Sequence, residues 1–76
     1  MTSTIETASA RASANTETLA ELLGFCLAAE RRRRRVTQEE LAACIGTHKA
    51  TVSRWETGAF LPDAPHLLAL RAWHAA

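Results

Sequence analysis

The segment 49–57 contains the four residues of this sequence that are best suited to contact another macromolecule: Lys49, Ala50, Ser53 and Arg54. An arginine guanidinium can donate two hydrogen bonds to a guanine, and an alanine methyl lets a base edge or a thymine methyl approach closely. At about 100° per residue, Val52 and Trp55 share one face of a helix, and the four residues lie outside that face. The segment therefore predicts a short helix with an apolar inner face and a small, polar and basic outer face.

A preceding helix is predicted to support that inner face. Thr37 and Glu40 match a capping box at the start of a helix over Gln38 to about Ile45. Three of its residues are predicted to point inward, namely Leu41, Ala42 and Ile45. Gly46 follows, where a left-handed residue is expected at the helix end, so a tight turn joins this helix to the segment 49–57.

The chain before these two helices divides into an arm and a further helix. Residues 1–16 contain a single large apolar side chain after Met1, that of Ile5, and are predicted to be a mobile arm, because they cannot bury enough surface to offset their ordering entropy. A helix is predicted from Thr18, which forms a capping box with Glu21, to about Arg34. Its apolar stripe consists of Leu19, Leu22, Leu23, Cys26 and Leu27. The predicted folded domain is residues 17–76.

The chain after the segment 49–57 predicts a fourth helix. Gly58 is expected to end the third helix, and Pro62 prevents its continuation. Asp63 is a suitable N-cap for a helix over residues 64–74. The apolar residues predicted to complete the core are Leu67, Leu68, Leu70 and Trp73. Because the sequence contains no alternating strand pattern and no internal repeat, we predict an all-α domain of four helices.

The charge distribution indicates an anionic partner. The net charge is only +1, but residues 31–58 contain seven basic and three acidic residues, a local charge of +4. Residues 1–30 contain one basic and four acidic residues, a local charge of −3. Two short helices joined by a glycine turn in a positive field predict a helix-turn-helix, whose second helix enters the DNA major groove. Arg33 and Arg34, beside the start of the second helix, are expected to attract backbone phosphates; the alternative is a solvated helix end.

Residues 37–63, TQEELAACIGTHKATVSRWETGAFLPD, resemble the lambda-repressor-like, Xre-type helix-turn-helix family. Members often read T-Q-x-x-L-A-x-x-x-G, then a polar helix ending in x-W/I-E-x-G, and then a proline. The matching residues are Thr37, Gln38, Leu41, Ala42, Gly46, Val52, Ser53, Glu56, Gly58 and Pro62. The resemblance covers roughly residues 19–73 and implies a helical bundle that binds a DNA operator, usually as a dimer.

The resemblance also implies roles for individual residues. The positions that commonly meet bases are matched by Lys49, Ala50, Ser53 and Arg54. The places that often touch backbone phosphates are matched by Thr37, Thr51 and Thr57. Gln38 matches a residue that contacts a phosphate and braces the recognition helix. Arg31 lies seven residues before Gln38, where many members carry an arginine paired with the glutamate that matches Glu56. Such a pair is physically reasonable because burying an unpaired carboxylate is costly.

Three features depart from the family pattern. The family usually has a glycine near the position of Arg35, so a β-carbon must tolerate the turn there. The loop after the third helix is usually basic, whereas here it reads Ala59-Phe60-Leu61. Many members have a fifth helix that contributes to dimerisation, and four are predicted here. We expect Phe60, Leu61 and Trp73 to form an exposed apolar patch that a twofold partner covers.

No residue pattern indicates catalysis or a metal site. The candidate metal ligands are Cys26, Cys44, His48, His66 and His74. They form no Cys-x-x-Cys or His-x-x-x-His pair, and Gly46 interrupts the helix that would align Cys44 with His48. No set of nucleophile, base and orienting group is present, and no phosphate-binding loop. We therefore predict that the chain has no metal, no cofactor and no enzymatic activity.

The sequence thus predicts a DNA-binding transcription regulator, a repressor that binds a pseudo-palindromic operator as a homodimer. The alternative is a protein-interaction module on the same scaffold, resembling an antitoxin or an adaptor, in which Phe60, Leu61 and the arm would bind a protein partner. No apolar run is long enough to span a bilayer, and no signal peptide is recognisable. The two cysteines suggest reduced thiols, so a cytoplasmic protein of bacterial or phage origin is expected.

Overall fold

The computed structural model of the chain describes the backbone of residues 4–76 and the side chains of residues 18–76. It contains four helices: α1 (Thr4–Arg33), α2 (Gln38–Ile45), α3 (Lys49–Glu56) and α4 (Ala64–Ala75). Residues 4–76 contain no strand. The predicted all-α class with four helices is confirmed, and the bounds of α2, α3 and α4 lie within one residue of their predictions. No helix of the described chain combines the length and the hydropathy needed to cross a membrane.

Helix α1 differs from its prediction at the N-terminal end. It begins at Thr4, so Thr18 lies inside the helix and the predicted capping box does not start it. Residues 4–17 contain no glycine or proline and four alanines, and alanine has the highest helix propensity. The predicted mobile arm, residues 1–16, lies outside the residues whose side chains are described. The arm and the domain boundary at residue 17 stay predictions.

Helix α1 ends in a Schellman motif around Arg35. The Arg35 N–H donates to the carbonyl of Arg32 at 2.9 Å, and the Val36 N–H donates to the carbonyl of Arg31 at 3.0 Å. Arg35 has a φ of 58° and is the one non-glycine residue with a positive φ in the described chain. Val36, the next residue, packs against the core and so sets the angle at which the chain enters α2.

Helix α2 is bounded by the residues that the sequence indicated. Thr37 Oγ1 accepts a hydrogen bond from the Glu40 N–H at 3.0 Å, and Glu40 Oε1 accepts one from the Thr37 N–H at 3.1 Å. At the other end Gly46 has a φ of 84°, and its N–H donates to the carbonyl of Ala42 at 2.9 Å. The capping box and the glycine turn fix both ends of an eight-residue helix that would be unstable alone.

Helix α3 ends in a second Schellman motif. The Gly58 N–H donates to the carbonyl of Trp55 at 3.1 Å, and the Ala59 N–H donates to the carbonyl of Arg54 at 2.9 Å. Gly58 has a φ of 77° and lies against α1, because a β-carbon there would be 3.0 Å from the Cα of Glu21. The glycine therefore serves both the turn and the contact with α1.

The core lies between all four helices. Its buried residues are Leu27, Leu41, Ala42, Ile45, Val52, Trp55 and Leu70. The prediction that Leu67 and Leu68 belong to the core is wrong, because their exposed fractions are 42% and 64%. Helix α4 buries one leucine, Leu70, and Trp73 packs partly against the core. The largest buried side chain of the core is Trp55 of α3.

Helix α1 turns its small residues toward α3. Within residues 18–33, the buried positions of α1 are Ala20, Gly24, Leu27, Ala28 and Arg31. The predicted stripe of larger residues lies mostly outside this face, and only Leu27 of that stripe is buried. A β-carbon at Gly24 would lie 2.3 Å from the carbonyl oxygen of Trp55 and 2.7 Å from that of Glu56. The end of α3 therefore crosses α1 with backbone in contact, which only glycine at that position allows.

Candidate nucleic-acid interface

Helix α3 is amphipathic in the predicted sense. Val52 and Trp55 are 0% and 2% exposed and pack into the core. Of the four residues predicted to contact bases, Lys49, Ala50 and Arg54 are exposed, whereas Ser53 is half-buried. The helix thus presents a basic outer face with a small residue, Ala50, in its first turn.

The residues predicted to contact phosphates surround the start of α2 and the two ends of α3. Thr37 and Thr57 are exposed, and Thr51 and Gln38 are half-buried. The Thr57 hydroxyl donates to the carbonyl of Arg54 at 3.2 Å, and the Thr37 oxygen is the N-cap acceptor of α2. Because that oxygen accepts from the backbone, the Thr37 O–H remains available to donate to a phosphate.

A shallow polar depression separates the start of α2 from the start of α3. The residues that line it are Arg31, Thr37, Gln38, Glu39 and Lys49. Lys49 contributes a positive charge there, and the N–H groups in the first turn of α2 lack partners within the helix. The depression thus offers hydrogen-bond donors, the Lys49 cation and the Glu39 carboxylate beside the outer face of α3.

A buried ion pair joins α1 to the end of α3. Arg31 Nε donates to Glu56 Oε2 at 2.6 Å, and Arg31 Nη2 donates to Glu56 Oε1 at 3.0 Å. Arg31 Nη1 donates to the carbonyl of Val36 at 2.8 Å, and Gln38 Nε2 donates to Glu56 Oε1 at 2.9 Å. The side chains of Arg31 and Glu56 are 10% and 5% exposed. The structure therefore brings together the two residues expected to pair and adds Gln38 to them.

This network keeps both partners ionised. Burial disfavours the charged Glu56 carboxylate, but hydrogen bonds from Arg31 and Gln38, together with the charges of Arg31 and Arg32, outweigh burial and lower the pKa of Glu56. The hydrogen bond to Glu56 raises the pKa of Arg31 above its ordinary value. Since the network connects α1, the first residue of α2 and the last residue of α3, it fixes the orientation of α3 in the domain.

The two arginines predicted to contact DNA phosphates have different environments. Arg33 Nη2 donates to Glu30 Oε1 at 2.6 Å, and the Arg33 side chain is 69% exposed. Arg34 also pairs with Glu30, but its Nη1 donates to the carbonyl of Trp73 at 2.8 Å and its Nη2 to that of His74 at 2.5 Å. The Arg34 guanidinium lies 4.6 Å from the centre of the Trp73 ring. Arg34 therefore joins α1 to the C-terminal end of α4 instead of projecting from an open surface.

The three residues predicted to form an apolar dimer patch are not equally exposed. Phe60 is 44% exposed, while Leu61 and Trp73 are half-buried. The Trp73 ring carries the Arg34 guanidinium, so that ring face is occupied. Five further large apolar side chains are exposed on α1 and α4, and none of them was predicted to lie on the surface: Leu19, Leu22, Phe25, Leu67 and Leu68. Their helical spacing alone could not reveal which face of α1 is buried.

Other reactive side chains do not cluster. Cys26 and Cys44 are both free thiols on the surface. Within residues 18–76, no three His, Cys, Asp or Glu side chains come together in a way that could hold a metal ion. His66 is engaged locally, because its N–H and its ring Nδ1 both contact Asp63 Oδ1, at 3.1 and 2.6 Å.

The geometry agrees with comparison to known protein families. Residues 22–72, more than half of the chain, match the helix-turn-helix domain HTH_31. The match spans the last part of α1, the α2–α3 pair and most of α4, and it agrees with the Xre-type resemblance of the sequence. No curated protein matches the chain significantly. Helix-turn-helix domains typically bind DNA and are typically not enzymes. The chain belongs to the helix-turn-helix domain family.

Proposed function

We propose that this protein is a sequence-specific DNA-binding transcription regulator that inserts α3 into the major groove. One observation carries the proposal: α3 buries Val52 and Trp55 and leaves Lys49, Ala50 and Arg54 exposed on its other side. Recognition helices have this geometry: the apolar face packs against the domain, and the exposed face carries basic side chains and a small one.

Base contacts are assigned to the outer face of α3. Arg54 can donate two hydrogen bonds to guanine O6 and N7, and Lys49 can donate to the same acceptors as a point charge. Ala50 is small enough for a base edge or a thymine methyl to approach the backbone, and the Ser53 hydroxyl can donate or accept.

Backbone contacts are assigned to residues around this face. The proposed phosphate-contacting residues are Thr37, Gln38, Thr51, Thr57 and Arg33. Glu56 uses one N–H of the Gln38 amide, so the second N–H remains available for a phosphate while the side chain still braces α3. Arg34 is omitted from this set because its guanidinium is occupied by α4 and Glu30.

We propose that the protein acts as a homodimer and as a repressor in the cytoplasm of a bacterium or of a phage-infected cell. Twofold symmetry would match a pseudo-palindromic operator with half-sites about one helical turn, 10–10.5 base pairs, apart. Phe60 and Leu61 are the proposed dimer contact, whereas Trp73 is left out because Arg34 already covers its ring. Binding to the operator is sufficient for repression, because it blocks access of other proteins to that DNA.

Selection of bound fragments from a pool of random DNA tests this function. We expect enrichment of a short sequence with twofold-related halves, and affinity for it that falls steeply as salt rises. A protein with an unfolded domain would also fail to enrich DNA, so the circular dichroism spectrum must first show a folded helical chain. Failure of the folded protein to enrich any sequence would contradict the proposal.

A protein-interaction module is the second candidate, and the exposed apolar residues favour it. Phe25 and Leu68 are 72% and 64% exposed, which is high for such large side chains. Titration with mixed-sequence DNA at two salt concentrations separates the candidates. A DNA-binding protein should bind at low salt and be released at high salt, whereas an interaction module should bind little DNA at either.

A further inference from the structure

The five consecutive arginines at the α1–α2 junction have distinct environments. Arg31 is buried against Glu56, Arg33 pairs with Glu30, and Arg34 binds the last carbonyls of α4. Arg32 and Arg35 are exposed, and their guanidinium groups form no hydrogen bond or salt bridge to the described residues. The run therefore contains two side chains that are free to bind something outside the domain.

Arg35 occupies a backbone position that suits glycine. Its φ of 58° lies in the left-handed region, where a β-carbon is unfavourable, and its place in the Schellman motif is the one that glycine usually fills. The two other positive-φ positions of the described chain, Gly46 and Gly58, are glycines. At those two helix ends the chain has the residue that suits the conformation, and at the end of α1 it does not.

We propose that Arg35 is a phosphate-contacting residue of the DNA interface, and that this contact is why an arginine occupies a strained left-handed turn. The inference rests on the proposed DNA-binding function. Strained residues persist where the surrounding structure holds them and where their side chains act on a ligand. Here the Schellman hydrogen bonds and the packing of Val36 hold the backbone of Arg35 in this conformation. Its free guanidinium is the group that would bind the phosphate.

The position of Arg35 agrees with this role. It lies two residues before Thr37, and consecutive Cα atoms are about 3.8 Å apart, so the Cα atoms of the two residues are within about 8 Å. Thr37 lines the polar depression that also contains Gln38 and Lys49. The Arg35 guanidinium can therefore contact a DNA phosphate next to the phosphate that Thr37 and Gln38 are proposed to contact.

Opposite effects on stability and on binding make the proposal testable. Arg35→Gly removes both the strained β-carbon and the cation, so we expect the Tm to rise by about 2–6 °C. In the same variant the Kd for DNA should rise about 3–10-fold. The slope of log K against log salt should fall in magnitude by about 0.9, the value of one phosphate contact.

Two control variants separate local contact from general charge. Arg35→Lys keeps a cation and the strain, so we expect a Tm close to wild type and most of the affinity to remain. Arg71→Ala removes one exposed arginine from α4 and changes the net charge equally, so its Kd and salt slope should remain close to wild type. Affinity and thermal unfolding are measured for all four proteins on selected and on mixed-sequence DNA.

The outcomes distinguish the inference from the function on which it rests. If wild-type protein binds DNA but Arg35→Gly binds with an unchanged Kd and slope, Arg35 makes no phosphate contact and DNA binding stands. Equal losses in Arg35→Gly and Arg71→Ala would likewise overturn the inference, since only net charge would matter. A Tm that does not rise in Arg35→Gly overturns the strain argument. If folded wild-type protein binds no DNA at any salt concentration, both proposals fail.

Discussion

Arg54 is the residue whose replacement tests base readout most directly. It is exposed on α3, and its side chain forms no hydrogen bond to the described residues, so Arg54→Ala should leave stability within about 0.5 kcal/mol of wild type. Loss of a bidentate contact to guanine should cost about 1–3 kcal/mol of binding and relax the preference at one base pair. Affinities for a panel of single-base operator variants measure both effects.

Arg33→Ala is the matched variant, because it removes a proposed phosphate contact instead of a base contact. Arg33→Ala should weaken binding to every operator variant alike and reduce the salt slope, since a phosphate contact carries no sequence information. If Arg54→Ala ranks the operator variants in the same order as wild type, Arg54 does not read a base.

Glu30 provides a test of electrostatics through pH. Hydrogen bonds from Arg33 and Arg34 lower the pKa of Glu30 from 4.5 to about 2. A carboxyl whose pKa is depressed in the folded state contributes stability above the unfolded pKa, and that stability is lost as pH falls toward the folded pKa. The Tm should therefore decrease between pH 4.5 and 2, and Glu30→Gln should decrease less steeply over that window.

Glu39→Gln is the control for this measurement. Glu39 is exposed on α2 and forms no salt bridge within the described residues, so its replacement removes one surface carboxylate without breaking an ion pair. The lowered pKa of Glu56 adds to the same acid-side loss in every one of these proteins. Profiles of equal steepness in wild type and Glu30→Gln would show that the Glu30 pairs contribute nothing.

Residue roles were predictable from the sequence only where the partner lies at a characteristic spacing. Arg31 and Glu56 stand in the positions that a helix-turn-helix of this type pairs, and the structure brings them together. Arg34 has no such signal, because its contacts are carbonyls 39 and 40 residues away, whose position depends on how α4 packs. A run of five arginines looks uniform in sequence, and only the tertiary structure separates its members.

At the scale of the helices, Gly24 decides how closely α1 and α3 approach. A β-carbon there would be 2.3 Å from the carbonyl oxygen of Trp55, and the atom it meets is backbone, which cannot rotate away. Gly24→Ala gains roughly 1 kcal/mol of helix propensity but overpacks the crossing, which typically costs about 1–3 kcal/mol or more. We therefore expect net destabilisation and, because the end of α3 must shift, weaker DNA binding.

Ala29→Gly is the reciprocal control on the same helix. Ala29 is exposed, so this change should cost about 0.5–1 kcal/mol through propensity alone and leave DNA affinity unchanged in the folded protein. Denaturant unfolding gives both free energies. A Gly24→Ala protein more stable than wild type would mean that α1 and α3 do not cross in contact.

The ends of α2, α3 and α4 were more predictable than the start of α1 or its buried face. Thr37, Gly46, Gly58 and Asp63 are local signals, and they bound the helices as expected. The buried face of α1 could not be predicted from its leucines. That face is the side on which Gly24 allows the backbone of α3 to approach closely. An apolar stripe shows that a helix is amphipathic, but the close crossing decides which residues of the stripe are covered.

At the scale of the whole molecule, the proposed homodimer requires a surface that joins two copies. Phe60 is 44% exposed and lies four residues after the end of α3, so a twofold contact there would hold two α3 helices in a fixed relation. If Phe60 is an anchor of the interface, Phe60→Ser should weaken dimerisation about tenfold or more. Sedimentation at tens of micromolar protein would then show monomer for the variant and dimer for wild type.

Phe25→Ser distinguishes this surface from the apolar side chains of α1. Phe25 is 72% exposed, so its replacement should leave both folding and the proposed dimer intact. Binding to a palindromic operator should weaken for Phe60→Ser, while affinity for an isolated half-site should stay at the wild-type value, because α3 is unchanged. If Phe25→Ser dissociated the dimer and Phe60→Ser did not, the dimer interface would lie on α1 instead. A wild-type protein that sediments as monomer at that concentration would contradict dimerisation through either surface.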